Sequence, residues 1–160
     1  MHNTRNDLAL NTRSQAIELL NARLADLIDL HSHAKQAHWN VKGPNFIGLH
    51  ELFDKVAAAV YDEADEVAER AIALGGRAIG TVVAVAKSSK LANYSLDISD
   101  GVAHVNALAN SLAATGKAVR SAIDEADKFG DADTSDLFTG ISRTLDKLLW
   151  MVEAHTQAER

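Results

Sequence analysis

Apolar residues recur at three- and four-residue intervals along most of this chain, and the breaks in that rhythm divide it into four long helices. Ile17, Leu20, Leu24, Leu27 and Ile28 mark the first. Thr12 and Gln15 stand at capping-box spacing, so this helix is expected to start there and to run to about Val41, where Gly43 and Pro44 stop it. Residues 1–11 ahead of it are polar and read as a flexible tail. A second helix starts near Asn45, carries Leu49, Leu52, Val56, Val60, Ala64 and Val67, and ends at Gly75 and Gly76. Each of these helices is on the order of 40 Å long. Residues 76–98 lose the pattern, and the run Thr81–Ala86 suits a strand or a short helix. Ser99 or Asp100 caps a third helix with Val102, Val105, Leu108, Leu112, Val119 and Ile123, weakened locally by Gly101 and Gly116. Phe129 and Gly130 end it. Asp133 to Asp136 then opens a fourth with Leu137, Phe138, Ile141, Leu145, Leu148 and Val152.

The long connection between the second and third helices lets them run parallel, which a short turn cannot do. Four amphipathic helices with one such crossover make an all-α, ferritin-like four-helix bundle over residues 12–160, following the tail of 1–11. The length of 160 residues suits one domain with a substantial core, and 47% apolar content excludes a disordered chain. Low aromatic content with abundant Ala and Leu favours helix.

Charge and chemistry sharpen this picture. The formal net charge of −6 argues against a broadly basic nucleic-acid surface and favours cations as partners. There is no cysteine, which fits a reducing compartment. No N-terminal apolar run resembles a signal peptide, and no stretch is long enough to span a membrane, so a soluble cytoplasmic protein is expected.

The second helix carries the informative chemistry. His50 and Asp54, and then Asp65 and Glu69, form two pairs at i, i+4, the spacing that stacks side chains on one helix face. Imidazole with carboxylate, and no thiolate, suits iron, manganese or zinc. Asp54 and Asp65 are eleven residues apart, roughly three turns plus 20°, so both pairs share one stripe. They are also separated by roughly 16 Å of helix rise, whereas metal–ligand bonds are about 2 Å. One metal cannot touch both pairs. Either the helix holds two half-built sites, or a second copy of the chain completes them. An antiparallel partner helix related by a two-fold axis sets His50 and Asp54 of one subunit against Asp65 and Glu69 of the other, with His38 supplying a further nitrogen. The competing account is a solvated acidic face, since Glu51, Asp62, Glu63 and Glu66 lie on the same helix.

At this point the chain resembles the Dps family, the mini-ferritins of starved or oxidatively stressed bacteria. The resemblance rests on Lys35 to Asn40 with His38 and Trp39, Gly43 to Phe46, His50 to Asp54, Asp65 to Arg70, Leu74 to Gly76, and Leu148 to Trp150. It covers nearly the whole chain, including a short helix in the crossover. It implies two-fold dimers assembling into a hollow homododecamer, with ferroxidase centres at the dimer axes. Each centre would take two irons as Fe(II), with zinc as a competitor. By the resemblance, Asp65 and Glu69 of one subunit with His38 of the other hold the tighter iron, and His50 and Asp54 help hold the second. The family oxidises Fe(II), typically with hydrogen peroxide, and stores the ferric product. Ordinary ferritins use Glu-x-x-His within one bundle, and that motif is absent from this sequence, which favours the intersubunit arrangement.

Further residues have weaker readings. Trp39 is a packing anchor or an electron donor; Lys35 is solvated or partners a carboxylate. His31, one heptad before His38, packs at the interface or adds a ligand, and His33 is expected at the surface. Asp131, Asp133 and Asp136 suit a helix N-terminus, and in Dps shells this region surrounds a three-fold pore. The tail offers Arg5 and Arg13 against Asp7 and no lysine, so DNA binding is expected to be weak or absent at physiological salt. The alternative functions are a nucleoid-compacting DNA-binding shell with secondary iron chemistry, and a purely structural helical oligomer.

Overall fold

The computed structural model describes residues 1–158; residues 159 and 160, the last two of the expected bundle domain, lie outside it. Five helices follow in order: α1 Leu10–Asn40, α2 Phe46–Ala73, α3 Val82–Ser88, α4 Gly101–Phe129 and α5 Ala132–Glu153. The described residues hold no strand. The bundle is thus four long helices, with the run at Thr81 resolved as the short helix α3 in the crossover. The apolar run was too brief to type by period; it forms about two turns, with Val85 its one buried residue.

Packing follows the spacing. On α1, Ala16, Leu20, Leu24, Leu27, Leu30, Ala34, Ala37 and Val41 are buried; on α2, Leu49, Phe53, Val56, Val60, Ala64, Val67, Ala71 and Leu74 are. These steps of three and four keep one face of each helix turned toward its neighbours along its whole length. Phe138, Ile141, Leu145, Leu108 and Leu112 close the core from α5 and α4. The five-residue turn 41–45 makes α1 and α2 antiparallel. The Lys42 N–H donates to the Ser99 carbonyl at 2.8 Å, and the Thr12 hydroxyl donates to the Phe129 carbonyl at 3.0 Å. Both ends of α1 therefore meet the opposite ends of α4, so α1 and α4 are antiparallel and α2 and α4 run parallel, as the long crossover requires.

The caps differ from the expected ones. α1 begins at Leu10 with Ala9 at its cap and no side-chain cap bond, because the Thr12 hydroxyl is spent on Phe129 across the bundle. Residues ahead of it lie against the end of α2: the His2 N–H donates to the Gly75 carbonyl at 2.7 Å, and Leu8 packs on the core. α5 is capped by Asp131 rather than by the 133–136 run; its carboxylate accepts from the Thr134 N–H at 3.1 Å and the Thr134 hydroxyl at 2.6 Å. α4 is capped by Asp100, which accepts from the Ala103 N–H, and ends at Gly130 with φ 83°, a left-handed conformation that favours glycine. Among the described residues no helix is long and apolar enough to cross a membrane.

Candidate metal centre

Small side chains set the geometry. Ala34 and Ala37 on α1 and Ala57 on α2 are buried at the α1–α2 seam, so the two backbones approach closely enough for side chains to reach across. His38 and His50 use this proximity reciprocally. His38 Nδ1 donates to the His50 carbonyl at 2.7 Å, and His50 Nδ1 donates to the His38 carbonyl at 2.8 Å. Their rings stack with centroids 3.7 Å apart and planes 22° from parallel. A carbonyl oxygen only accepts, so each Nδ1 carries the hydrogen. In the neutral ring Nε2 then holds the lone pair. Locking a histidine through one nitrogen to a backbone carbonyl is how proteins orient the other nitrogen toward a metal.

Asp54, one turn beyond His50, extends from the same end of α2 with its side chain 57% exposed. Lys35 Nζ, from α1, lies 2.6 Å from its Oδ1. That hydrogen bond first, and the lysine's charge with it, holds the Asp54 carboxyl below the usual carboxylate range. Lys35 therefore partners a carboxylate rather than standing solvated. Its Nζ is also 5.6 Å from the centre of the Trp39 ring, one turn along α1. Trp39 is 68% exposed, so within one subunit it anchors nothing.

His38 and His50 are thus brought together, with Asp54 one turn farther along α2 and bonded to Lys35, while Asp65 and Glu69 lie exposed three to four turns beyond Asp54. Among the described residues of a single chain, no three His, Asp or Glu side chains converge as a metal site. The two halves are nevertheless in register. His50 with Glu69, and Asp54 with Asp65, are each symmetric about a point between Ala59 and Val60. Tyr61, 59% exposed, stands beside that point one turn before Asp65. An uncovered aromatic in the middle of a charged stripe suits a contact surface better than a solvated face.

The neighbouring histidines divide. His31 repeats the same geometry one heptad earlier, with Nδ1 donating to the Ala57 carbonyl at 2.9 Å and its ring 5.2 Å from that of Tyr61. His33 is not at the surface as expected; it is buried, with Nδ1 3.0 Å from the Ser111 hydroxyl and Nε2 3.4 Å from Asp29. Burial lowers its pKa, against the opposing pull of Asp29. His104 is fully buried with Nδ1 2.8 Å from the Tyr94 hydroxyl, and burial lowers its pKa as well. Sequence reasoning missed this polar cluster, which ties the crossover to α1 and α4. The i, i+4 pair Asp29 and His33 was its visible trace.

At the other end of α2, Asp131 is turned into the fold rather than outward. It is 1% exposed and pairs with Arg70 at 2.7 Å while capping α5. Asp133, 84% exposed and 3.7 Å from Arg70, and the exposed Asp136 remain on the surface there.

Comparison with known proteins agrees with this architecture. The ferritin-like domain family model matches residues 17–160. The chain is 46% identical over 156 residues to the DNA protection during starvation protein of Agrobacterium fabrum, covering 98% of this chain and 96% of that one. DpsA14 of Streptomyces coelicolor superposes with a TM-score of 0.91 at 39% identity, over 97% of this chain and 92% of its own. The Dps protein of Vibrio cholerae, described as a member of a broad superfamily of ferritin-like diiron-carboxylate proteins, gives a TM-score of 0.90 at 25% identity, with 98% of each chain covered.

Proposed function

The chain belongs to the ferritin-like superfamily, in its Dps family, and from that premise we propose that it is a ferroxidase and iron-storage protein whose catalytic centres form between subunits. One observation carries the reading. The ligand set is split into halves that no single chain unites, and the halves are mirror-placed about one point of α2. A two-fold axis there brings His50 opposite the partner's Glu69 and Asp54 opposite the partner's Asp65, with His38 at the level of His50. Each dimer then has two identical centres.

The donor set fits iron as substrate. Imidazole Nε2 atoms tolerate Fe(II), and carboxylates stabilise the harder Fe(III) product, so binding favours the direction of oxidation. His38 and His50 are held in the ligating tautomer before any metal arrives, which removes the cost of ordering them. Two Fe(II) ions at one centre supply two electrons, which with two protons reduce one hydrogen peroxide to two waters. No one-electron product is released. Peroxide as preferred oxidant, storage of the ferric product in a dodecameric shell, and zinc as a competitor for the same ligands complete the proposal.

DNA protection enters through the names of relatives. Direct DNA binding is not favoured here, because Arg13 is turned inward, its guanidinium donating to the Leu8 and Leu74 carbonyls. Fewer free cations on the tail mean weaker phosphate neutralisation. The test is Fe(II) titration under peroxide, followed by ferric absorbance. The centre as drawn consumes two Fe(II) per peroxide, and replacing Asp65 and Glu69 by Ala stops rapid oxidation while leaving the assembly intact. Wild-type rates in that variant would overturn the assignment.

A further inference from the structure

We propose that each two-fold dimer carries a further metal site on its axis, where His31 of one subunit and the partner's His31 hold one zinc-class cation between them. The inference rests on the two-fold pairing proposed above and adds a site apart from the two iron centres.

His31 is oriented as a ligand before any partner arrives. Its Nδ1 donates to the Ala57 carbonyl at 2.9 Å, so in the neutral ring Nε2 holds the lone pair. The Tyr61 ring, with its centre 5.2 Å away and tilted by 52°, confines the imidazole from a second side. His38 is held in the same way, by the His50 carbonyl at 2.7 Å. Seven residues back along α1 thus meet seven residues forward along α2, and a heptad step returns a side chain to nearly the same face. The two imidazoles occupy equivalent positions of one seam and present Nε2 to the same side.

Their levels along that seam differ. The mirror point of the ligand stripe lies between Ala59 and Val60. A helical carbonyl oxygen reaches about one and a half residues ahead of its own Cα, so the bond to Ala57 holds the His31 ring roughly 1.5 Å from the level of that point. By the same measure His38 is held roughly 12 Å from it. Two His31 rings related by the axis are then offset by roughly 3 Å along the helices, a gap that one cation spans with two metal–nitrogen bonds of about 2 Å. Tyr61 and Ala58 are symmetric about the same point, so Tyr61 faces the partner's Ala58, whose small side chain leaves the axis open.

The chemistry at the axis calls for a cation. His31 is half-buried in one subunit, and a partner laid over the seam covers it further. Two lone pairs then face each other, and two neutral imidazoles locked in this tautomer make no hydrogen bond to one another. Leaving both acceptors buried and unpaired is costly, and a shared cation satisfies both at once. Imidazole donors rank divalent ions with Cu(II) and Zn(II) above Fe(II), and solvent completes a four-coordinate shell. The axis therefore takes zinc-class ions, while the carboxylate-rich centres suit iron. Because the ion binds only paired subunits, it strengthens the dimer by mass action.

Zn(II) titrated by calorimetry into the assembled Asp65→Ala, Glu69→Ala protein, whose iron centres lack their carboxylates, reads the axis alone. One Zn(II) per two chains is expected, and His31→Gln in that background should weaken its binding at least about tenfold. Cu(II) at the same stoichiometry should show two equivalent nitrogens by electron paramagnetic resonance, lost in His31→Gln. No zinc binding, one ion per chain, or binding unchanged in His31→Gln each overturns the proposal. Gel filtration checks assembly; if the background protein does not form dimers, His31→Gln in the otherwise wild-type chain should lower the zinc stoichiometry by one ion per two chains, and an unchanged stoichiometry overturns the proposal. Fe(II) oxidation keeps the two readings apart. His31→Gln alone should oxidise iron at the wild-type rate, and a lost rate would assign His31 to the iron centre instead. Rapid oxidation by the Asp65→Ala, Glu69→Ala protein would sink the iron centre, whatever the zinc result.

Discussion

Replacing Asp131 by Asn separates two roles of one buried carboxylate. Asp131 caps α5 through Thr134 and pairs with Arg70 at 2.7 Å while 1% exposed. Asn is itself a good helix cap, so the variant keeps most of the cap and removes the charge. Breaking a buried ion pair by removing one partner costs about 3–5 kcal/mol. The orphaned Arg70 is 17% exposed and has Asp133 at 3.7 Å, which puts the loss near the low end, about 3 kcal/mol. For a chain of this size that is a fall of about 6–12 °C in melting temperature at fixed protein concentration. Asp131→Ala also removes the cap and the bond to the Thr134 hydroxyl, about 1 kcal/mol each, and should melt lower still. Circular dichroism melts, run beside iron-uptake kinetics, decide the matter. If Asp131→Asn melts with the wild type but takes up iron slowly, Asp131 lies on an ion path and the reasoning from burial is wrong.

The Asp65→Ala and Glu69→Ala protein should lose rapid Fe(II) oxidation by at least a hundredfold, from the loss of two ligands, with unchanged size by gel filtration. Stability should fall in mild acid. His33 and His104 are buried with lowered pKa values, so below the ordinary value of 6.5 the unfolded chain binds protons that the folded chain resists, and the folded state loses ground as pH drops from 6.5 toward the lowered values. Denaturant midpoints measured between pH 8 and 5 should decline over that window, and a His104→Phe variant should decline less. In gel shifts, DNA complexes should be absent near physiological salt, and a band persisting there would contradict the inward placement of Arg13.

The fold was legible because its period is unbroken. Leu20, Leu27, Ala34 and Val41 lie on one seam at heptad spacing, and burial follows that spacing. The caps were less legible, since Thr12 gives up a local bond for the Phe129 carbonyl and Asp131 joins its local cap to Arg70, partners that only tertiary packing brings close. His33 looked like a surface residue because Ser111 and Tyr94, which make its burial tolerable, are far away in sequence. That His50, Asp54, Asp65 and Glu69 share one stripe of α2 followed from helix geometry alone. The reciprocal bonds of His38 and His50 did not, because they depend on the register of α1 against α2. The small residues Ala34, Ala37 and Ala57 were the only hint that two backbones come within imidazole reach.

Sharing of ligands between subunits is tested most directly by mixing. One protein carries His38→Ala and His50→Ala, the other Asp65→Ala and Glu69→Ala, and each alone is inactive. When they are unfolded together and reassembled, every mixed two-fold dimer regains one centre with all its ligands. Random pairing should restore about a quarter of the wild-type Fe(II) oxidation rate. If the mixture stays as inactive as its components although mixed dimers have formed, the centre lies within one subunit and the account is contradicted.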